Sequence, residues 1–487
     1  MASLEEIREA RLAKLNILKE QGIDPYPARV PRDFSIKFLK ENFENQEKEG
    51  NALSVAGRVM ILRGQGAILF AVIFDGTDKI QAIIKKDVLG EDLFKLFVDT
   101  VDMGDFISVT GKAVLSKTGE QSVMAENWTM AGKSLLPLPE KWHGLQDIDE
   151  RYRKRYLDFL VNDELRDLMA KKAKFWDATR TFLKENNFIE VETPTLEVTT
   201  GGAEANPFKT HHDDYDLDVF LRISVGELWQ KRLMAGGFGR TFEIGRVYRN
   251  EGSSPDHTQE FTNLEFYASF MDYTEGIGFT EELIKYIAKE TFGKLDFETR
   301  GHRFSLEGEW PKMSYVEIVK DKTGIDVLTA STEEMKDKLD ELKVKYEGEN
   351  RERLTDTLWK YCRKQISGPV WLVDVPKIVS PLSKSKPDNP ELTERVQLIL
   401  AGAEVTNGFS ELNDPIDQKE RFDAQKKLLE SGDKEAMMSD DEFVEMLEYG
   451  MPPTFGFGMG GDRLFSFLAD KPLRELQTFP LMRPKMD

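Results

Sequence analysis

The spacing of apolar residues predicts helices at the start of the chain and again near its middle. Ser3 to Gln21 has the amphipathic pattern of a helix, with Ser3 placed to cap its first turn and Glu6 three residues further on. A longer helix is predicted from Glu164 to Asn186. Between about 275 and 365 the sequence is mainly helical and highly charged, which predicts a solvent-exposed structural insertion.

Alternation of apolar and polar residues replaces this pattern between Leu53 and Trp128, where it predicts five short strands. A helical stretch from Leu89 to Val98 precedes the fourth strand. Five strands with a helix at this point fit a small OB-type barrel, although other small barrels share the pattern. The predicted strands are LSVAGRVMIL, AILFAVIFD, KIQAIIKK, DFISVTGKAVL and QSVMAENW.

Two further alternating runs, in Phe242 to Tyr267, predict an antiparallel hairpin with a long polar loop. The hairpin would present Arg249 and Glu251 on one face, since strand side chains repeat with a period of two. An arginine can grip a phosphate with two hydrogen bonds, and a carboxylate beside it can accept one from an exocyclic amine. A lone Arg-x-Glu is more often a surface salt bridge, but this pair suits a purine nucleotide.

Length and composition point to a multidomain protein of a reducing compartment. A chain of 487 residues with 40% hydrophobic content can bury two or three cores. It has no apolar run of about 18 residues, and its first residues, MASLEEIREARLAKL, are charged throughout, so we expect neither a membrane span nor a signal peptide and place it in the cytoplasm. The single cysteine, Cys362, cannot form an internal disulfide and is expected to be a buried structural thiol.

The net charge of -20 argues against a protein that coats nucleic acid without specificity, because neutralising phosphates requires a basic surface. The acidity is unevenly distributed. Residues 1–134 carry 18 Lys and Arg against 20 Asp and Glu, whereas the remainder carries 49 against 67. A local RNA contact is therefore expected in the N-terminal third.

Three stretches together resemble the class II aminoacyl-tRNA synthetases, and the lysyl enzymes in particular. FEIGRVYRNEGSSPDHTQEFTNLEFY resembles motif 2, GFGMGGDRLFSF looks like motif 3, and Pro194 in the predicted strand FIEVETPTL resembles the proline of motif 1, which builds the dimer interface of that family. The resemblance implies an α+β fold: an N-terminal OB-fold β-barrel, then a class II catalytic domain whose antiparallel sheet is flanked by helices. It also implies a homodimer.

The expected domain order follows from this resemblance and from the proline-rich stretch LLPLP. We expect an N-terminal helical segment at 1–50, an OB-fold anticodon-binding domain at 51–134 and a linker at 135–155. The catalytic domain would occupy 156–487 and contain the helical insertion at about 275–365.

The resemblance further implies ATP-dependent activation of L-lysine to lysyl-adenylate, followed by transfer to tRNA(Lys). No protein nucleophile is required, because catalysis would come from positioning, arginine charge and Mg²⁺. Arg249 would act on the α-phosphate and Glu251 on the adenine amine. Phe261 and Arg463 would cover the two faces of adenine, and His257 would reach the terminal phosphates.

A lysine substrate brings an ammonium group with three donors, which requires carboxylates and neutral acceptors that converge in a pocket. An uncharged side chain would leave such carboxylates unpaired, so the pocket would discriminate strongly. The residues that match the family's lysine pocket are Glu227, Glu265, Tyr267, Asn407, Phe409 and Glu411.

The resemblance also implies a metal site and an anticodon site. Glu404 and Gln397 match the positions that bind Mg²⁺ in the family. On the barrel, an aromatic side chain can stack on an unpaired base while polar side chains contact base edges. The positions expected to meet the anticodon are Arg63, Phe70, Gln81 and Glu120.

Several positions depart from the lysyl pattern. Gln397 stands where Glu is usual, which should weaken Mg²⁺ binding. Asp256 and Thr258 replace Arg and Asn in the motif 2 loop, and Asn206 replaces Arg after GGAEA. LRISVGEL is one residue longer than the usual LRIAPEL, which bears on Glu227.

These departures keep two alternatives open: an aspartyl or asparaginyl enzyme of the same class, and a catalytically silent RNA-binding paralogue.

The neighbouring His211 and His212 have no further ligand at zinc spacing, so no zinc site is expected.

Overall fold

The computed structural model describes residues 3–139, 145–201, 205–252, 254, 257–346, 348–432 and 436–485. Asp256, residues 202–204 of the GGAEA segment and residues 140–144 of the expected linker lie outside the described residues. The chain divides into two compact units, Met1–Val161 and Asn162–Asp487. The second unit thus begins at Asn162, whereas the sequence predicted a catalytic domain from position 156.

The first unit is a five-stranded barrel with short helices before, between and after its strands. In chain order its elements are α1 (Leu4–Glu20), α2 (Ile36–Glu41), α3 (Phe43–Glu49), β1 (Leu53–Gln65), β2 (Ile68–Phe74), β3 (Lys79–Lys85), α4 (Lys86–Leu89), α5 (Glu91–Thr100), β4 (Phe106–Leu115), β5 (Gln121–Gly132), α6 (Ile148–Arg153) and α7 (Arg155–Val161).

The barrel closes in the order β1-β2-β3-β5-β4, with β3 and β5 parallel and the other pairs antiparallel. Alternate side chains of each strand fill its interior, and α5 adds Phe97, whose ring meets Trp128 edge-on at 5.3 Å. At the N-terminus, Ser3 and Glu6 cap α1 reciprocally, as the sequence predicted. The predicted OB-type barrel is confirmed.

The second unit combines one large sheet with helices and smaller hairpins. Its elements are α8 (Asp163–Glu185), β6 (Ile189–Glu190), β7 (Leu196–Glu197), β8 (Lys209–His212), β9 (Leu217–Leu221), α9 (Glu227–Ala235), β10 (Arg240–Tyr248), β11 (Glu260–Ser269), α10 (Tyr273–Phe292), β12 (Asp296–Thr299), β13 (His302–Ser305), β14 (Lys312–Ser314), α11 (Tyr315–Thr323), α12 (Thr332–Glu341), α13 (Arg351–Arg363), β15 (Val370–Val373), β16 (Val375–Pro376), β17 (Leu392–Thr393), β18 (Arg395–Leu400), β19 (Ala403–Glu404), β20 (Thr406–Ser410), α14 (Pro415–Glu430), α15 (Asp441–Glu448), β21 (Thr454–Met459) and α16 (Gly461–Ala469).

The large sheet runs in the order β14-β15-β18-β20-β21-β11-β10-β6, with β19 beside β18. Among the described strands of this sheet, only the outermost pairs are parallel, namely β14 with β15 and β10 with β6. The predicted antiparallel sheet flanked by helices is confirmed. Helices α8, α10 and α16 cover one face through a shared hydrophobic core.

The two faces of the sheet differ because its side chains alternate. On β11, Leu264 and Phe266 enter the core, whereas Glu265 and Tyr267 face a cavity. On β18, Val396 and Leu398 enter the core while Arg395 and Gln397 face the same cavity. One face is therefore apolar and packed, and the other carries the polar groups.

Two sequence predictions are wrong in detail. FIEVETPTL does not form one strand, because β6 ends at Glu190, β7 begins at Leu196, and Pro194 between them lacks the N–H that a strand pair needs. The charged region at about 275–365 is not simply a solvent-exposed structural insertion. It contains the β12–β13 hairpin, it has its own core around Trp359, and its helix α13 lines the cavity. Cys362 on α13 is a buried thiol, as expected.

Candidate functional site

A cavity of about 450 Å³ lies against the polar face of the sheet in the second unit. Side chains from β11, β18, β20, α13, α16 and the loop after β10 line it. Its lining includes every residue predicted for ATP, lysine and metal binding. These are Glu227, Arg249, Glu251, His257, Phe261, Glu265, Tyr267, Gln397, Glu404, Asn407, Phe409, Glu411 and Arg463.

Arg249 provides a buried positive charge at one end of this cavity. It follows β10, and its Nη2 donates to the carbonyl of Ile223 at 3.4 Å. Its Nε has no hydrogen-bond partner among the described residues. Burial lowers the pKa of this guanidinium, and the carboxylates of Glu251 and Glu265 oppose that shift. A buried cation with free donors is suited to binding an anion.

Phe261 and Arg463 add flat surfaces to the cavity lining. The Arg249 guanidinium lies 5.3 Å from the centre of the Phe261 ring, a cation–π contact. Arg463 enters from α16, and its Nη1 donates to the carbonyl of Glu404 at 3.1 Å. Glu251 and His257 belong to the exposed loop between β10 and β11, where His257 Nδ1 lies 2.8 Å from Ser254 Oγ.

Glu227, Glu265 and Glu411 are buried and face the same end of the cavity. The backbone N–H of Val225 donates to Glu265 Oε1 at 2.7 Å, and the hydroxyl of Tyr267 donates to Glu265 Oε2 at 3.4 Å. Burial raises the pKa of Glu265 to about 8, and the charge of Glu227 adds to this shift. Burial likewise raises the pKa of Glu411 to about 8. Such a cluster of buried acids is stable when ammonium groups neutralise it.

Lys231 supplies one such ammonium, and the sequence prediction did not include it. Its Nζ lies 2.6 Å from Glu411 Oε2 and 3.4 Å from Glu227 Oε1. Its position could be predicted from the sequence, because it follows Glu227 by four residues on one helix and so lies on the same face.

The extra residue in LRISVGEL is accommodated at Gly226, directly before α9. Gly226 has φ of 69°, the left-handed conformation that favours glycine. A Cβ there would lie 2.2 Å from Thr193 Oγ1. The insertion thus leaves Glu227 buried in the cavity wall as the first residue of α9.

Asn407 and Phe409 lie two residues apart on β20 and face the cavity together. Arg395, from the neighbouring β18, donates through Nε to Asn407 Oδ1 at 2.7 Å and so fixes the orientation of that amide. Arg395 is a second residue of the site that the sequence prediction missed. Its place in the site was predictable, because Arg395 and Gln397 are two residues apart on one strand and so face the same side of the sheet.

Glu404 and Gln397, the two residues expected to bind Mg²⁺, both line the cavity. The Oε1 atom of Glu404 accepts hydrogen bonds from Trp359 Nε1 and pairs with Arg363 Nη1 at 2.7 Å. Burial opposes ionisation of Glu404, but Arg363 and Trp359 lower its pKa overall. The remaining donor, Gln397, is a neutral amide, and the described residues contain no group of three or more His, Cys, Asp or Glu side chains that could hold a metal ion. Arg363 of α13 therefore already places a positive charge beside Glu404.

The other departures from the lysyl pattern lie around the motif 2 loop. Asn206 does not line the cavity; it exchanges hydrogen bonds with Asn250, at 2.7 Å from the Asn250 N–H to the Asn206 carbonyl. Thr258 lines the cavity, and its hydroxyl donates to the carbonyl of Glu260 at 2.8 Å.

On the barrel of the first unit, the four residues predicted to meet an anticodon lie together. Arg63 and Phe70 are paired across β1 and β2, and Arg63 Nη2 donates to Gln81 Oε1 at 3.2 Å. Glu120 lies 3.9 Å from Arg63. Gln81 is buried and also donates to Ser122 Oγ, whereas Arg63 and Glu120 are exposed and Phe70 is half-buried.

Comparison with known proteins gives matches over both units. The family described as tRNA synthetases class II (D, K and N) matches residues 147–483, and an OB-fold nucleic acid binding domain matches residues 53–131. A lysine–tRNA ligase of Thermotoga maritima is 42% identical over 99% of this chain and 97% of its own length. The proteins of the same name from Pelotomaculum thermopropionicum and from a Roseiflexus species are each 41% identical, over 99% of this chain and over 96% and 99% of their own lengths.

Proposed function

The chain belongs to the class II tRNA synthetases of the D, K and N group, and we propose that it activates L-lysine with ATP and transfers it to tRNA(Lys). The observation that carries the proposal is the cavity that joins three buried carboxylates to a buried arginine with free donors. Carboxylates attract the ammonium groups of lysine, and the arginine attracts phosphate. An aspartate pocket would require cations where this chain has acids.

The first step is attack by the carboxylate oxygen of lysine on the α-phosphorus of ATP. The new O–P bond forms as the bond to the bridging oxygen breaks, giving lysyl-adenylate and pyrophosphate. Arg249 is placed to neutralise charge on the α-phosphate, and Phe261 and Arg463 to hold the two faces of adenine. His257 would reach the terminal phosphates, and Glu251 would accept a hydrogen bond from the adenine amine. Positioning and fixed positive charge supply the catalysis.

The second step transfers the lysyl group to RNA. A ribose hydroxyl at the tRNA terminus attacks the carbonyl carbon of the adenylate and releases AMP. The exposed Arg63 and Glu120, with the ring of Phe70, are suited to the unpaired anticodon bases. Gln81 would act from beneath this surface, since its amide is engaged by Arg63 and Ser122.

The lysine pocket is proposed to consist of Glu227, Glu265, Glu411, Tyr267, Asn407 and Phe409. Mg²⁺ would enter as part of the Mg²⁺–ATP substrate rather than as a resident ion. Gln397 and Glu404 would contact that ion, in competition with the ion pair between Arg363 and Glu404.

A homodimer is proposed on separate grounds. Ile189, Leu196 and Val198 are each about half exposed on either side of Pro194. Apolar residues clustered at the surface favour a protein interface. Sedimentation analysis should give twice the chain mass; a monomer would refute this part of the proposal.

Among the described residues, no helix is long and apolar enough to cross a membrane.

The specificity is tested by ATP–pyrophosphate exchange with each amino acid in turn. We expect exchange that depends on L-lysine. Exchange driven by aspartate or asparagine, and not by lysine, would refute the proposed substrate, and no exchange with any amino acid would indicate a silent paralogue.

A further inference from the structure

Lys231 lies behind the acidic end of the cavity. It is 1% exposed and is not part of the cavity lining, yet its ammonium contacts both Glu411 and Glu227. The rings of Phe409 and Phe443 lie 5.3 and 5.8 Å from Nζ. Carboxylates and aromatic faces thus surround this ammonium, which stabilises the cation and restricts its movement.

The two oxygens of Glu411 have different surroundings: one faces Lys231 and the other lies beside Gly456. Oε2 is the oxygen that forms the ion pair with Lys231 Nζ, at 2.6 Å. Neither oxygen accepts a hydrogen bond of good geometry from the described residues, so Oε1 is left open to a donor. Space beside Oε1 depends on Gly456 of β21, where a Cβ would lie 1.9 Å from that oxygen. The geometry leaves one oxygen of a buried carboxylate available to a donor in the cavity.

When its three acids are ionised, this end of the cavity favours a ligand that carries two positive charges. Glu227 on α9, Glu265 on β11 and Glu411 after β20 carry three negative charges when ionised, and Lys231 supplies one positive charge. Tyr267 on β11 is a further titratable group here. Arg395 on β18 acts on Glu227 from further away, and Arg249 and Glu243 act on Glu265. A ligand with two ammonium groups completes the balance, whereas one with a neutral side chain leaves a buried carboxylate uncompensated.

We propose that Lys231 is a positioning residue for substrate specificity: it holds Glu411 through Oε2, so that Oε1 faces the cavity and receives the side-chain ammonium of the substrate. This inference rests on the proposed lysine-activating function and assigns a role to a residue that never touches the substrate. The charge of Lys231 opposes the rise that burial causes in the pKa of Glu411, which makes it easier for an arriving ammonium to displace the proton of that acid.

The test is Lys231→Met in the full-length protein, with KM for lysine and for ATP measured by ATP–pyrophosphate exchange at about pH 7 and about pH 8.5. Without the cation, burial raises the pKa of Glu411 further, so more of it is protonated at neutral pH. We expect KM for lysine to rise about tenfold or more at the lower pH and to recover partly at the higher pH, while KM for ATP stays within about twofold.

Arg232→Met is the matched control. Arg232 is the next residue of α9 and pairs with Asp440 at 3.0 Å, outside the cavity lining. This variant should leave KM for lysine unchanged at both pH values. If Lys231→Met does not fold, Lys231→Gln removes the charge while retaining a hydrogen-bond donor, and the same pH dependence is expected.

Three results would overturn the inference: an unchanged KM for lysine, a lowered KM, which would make Lys231 a competitor for the substrate site, or a raised KM with no dependence on pH, which would indicate packing alone. If the wild-type protein itself shows no lysine-dependent exchange, the proposed function fails instead, and the two failures are distinguishable.

Discussion

At the scale of single residues, the site is a problem of buried charge. Three carboxylates lie out of water, and among the described residues Lys231 forms ion pairs with two of them, Glu411 and Glu227. Burial raises the pKa of Glu265 and of Glu411 to about 8, so in the empty pocket these acids hold protons near neutral pH. A substrate ammonium needs the ionised form. Lysine binding must therefore displace protons.

The pH dependence of lysine binding follows from this direction. Between about pH 7 and about pH 9 the free acids lose their protons, so the affinity for lysine should rise with pH and protons should be released on binding. Calorimetry in two buffers of different ionisation enthalpy measures that release. Binding that weakens as pH rises through this range, or that takes up protons, would contradict the assignment of Glu265 and Glu411.

Gln397 offers a second prediction at this scale. Gln397→Glu adds a carboxylate beside Glu404 and should create a stronger site for a divalent cation, because Mg²⁺ prefers charged oxygen ligands. We expect the Mg²⁺ concentration that gives half-maximal ATP–pyrophosphate exchange to fall about threefold or more, since the gain is one ligand charge in a partly screened site.

The control for that experiment is Gln365→Glu, an added carboxylate on the segment after α13 that does not line the cavity. It should leave the Mg²⁺ requirement unchanged. Equal Mg²⁺ dependence in wild type and Gln397→Glu would show that position 397 does not contact the metal that accompanies ATP.

At the scale of secondary-structure elements, alternation along the strands positions the site. β11 places Leu264 and Phe266 in the core and Glu265 and Tyr267 in the cavity, so one strand contributes both to stability and to the pocket. The turn before α9 has a comparable role, because Gly226 sets the direction from which Glu227 and Lys231 enter.

Gly226→Ala tests that turn. The substitution places a Cβ 2.2 Å from Thr193 Oγ1 and puts a side chain at a positive φ, so we expect a loss of about 1–3 kcal/mol in the free energy of unfolding and a raised KM for lysine. Thermal unfolding and exchange kinetics measure the two effects. Gly278→Ala on α10, where a Cβ meets no atom within 4 Å, should cost nothing. An equally stable Gly226→Ala protein with normal KM would contradict this account of the turn.

The sequence predicted elements better than it predicted their surroundings. The hairpin of β10 and β11, α8 and the barrel strands follow from local periodicity, which is a property of neighbouring residues. The part played by α13 did not follow, because a helix with many charges gives the same pattern whether those charges meet water or line a cavity. Arg363 pairs with Glu404, 41 positions away in the chain, and no local pattern encodes that contact.

The break at Pro194 and the ion pair of Lys231 could have been predicted from the sequence. A proline inside a predicted strand argues against that strand, and a Glu and a Lys four residues apart on a helix commonly interact. What could not be derived was the burial of the pair beside Glu411, since this depends on how α9, β20 and β21 pack.

At the scale of the whole molecule, the chain consists of two compact units whose proposed tasks differ. The barrel would recognise tRNA, and the second unit would perform both chemical steps. Phe70→Ala and Arg63→Ala should therefore lower kcat/KM for tRNA charging by about tenfold or more, since a stacked base contributes about 1–3 kcal/mol, and leave ATP–pyrophosphate exchange unchanged.

Lys48→Ala, which removes an exposed charge from α3 in the same unit, is the control and should affect neither reaction. If Phe70→Ala charged tRNA normally, the assignment of this barrel surface to the anticodon would fail. If it also lost exchange activity, the division of tasks between the two units would fail.

The central claim is that the acids at one end of the cavity bind the ammonium of lysine beside an ATP held by Arg249. A crystal structure with L-lysine and a non-hydrolysable ATP analogue tests it most directly. We expect the side-chain nitrogen of lysine within hydrogen-bonding distance of Glu411 Oε1, and the α-phosphate against Arg249. Lysine bound away from Glu265 and Glu411, or a nucleotide that does not contact Arg249, would contradict it.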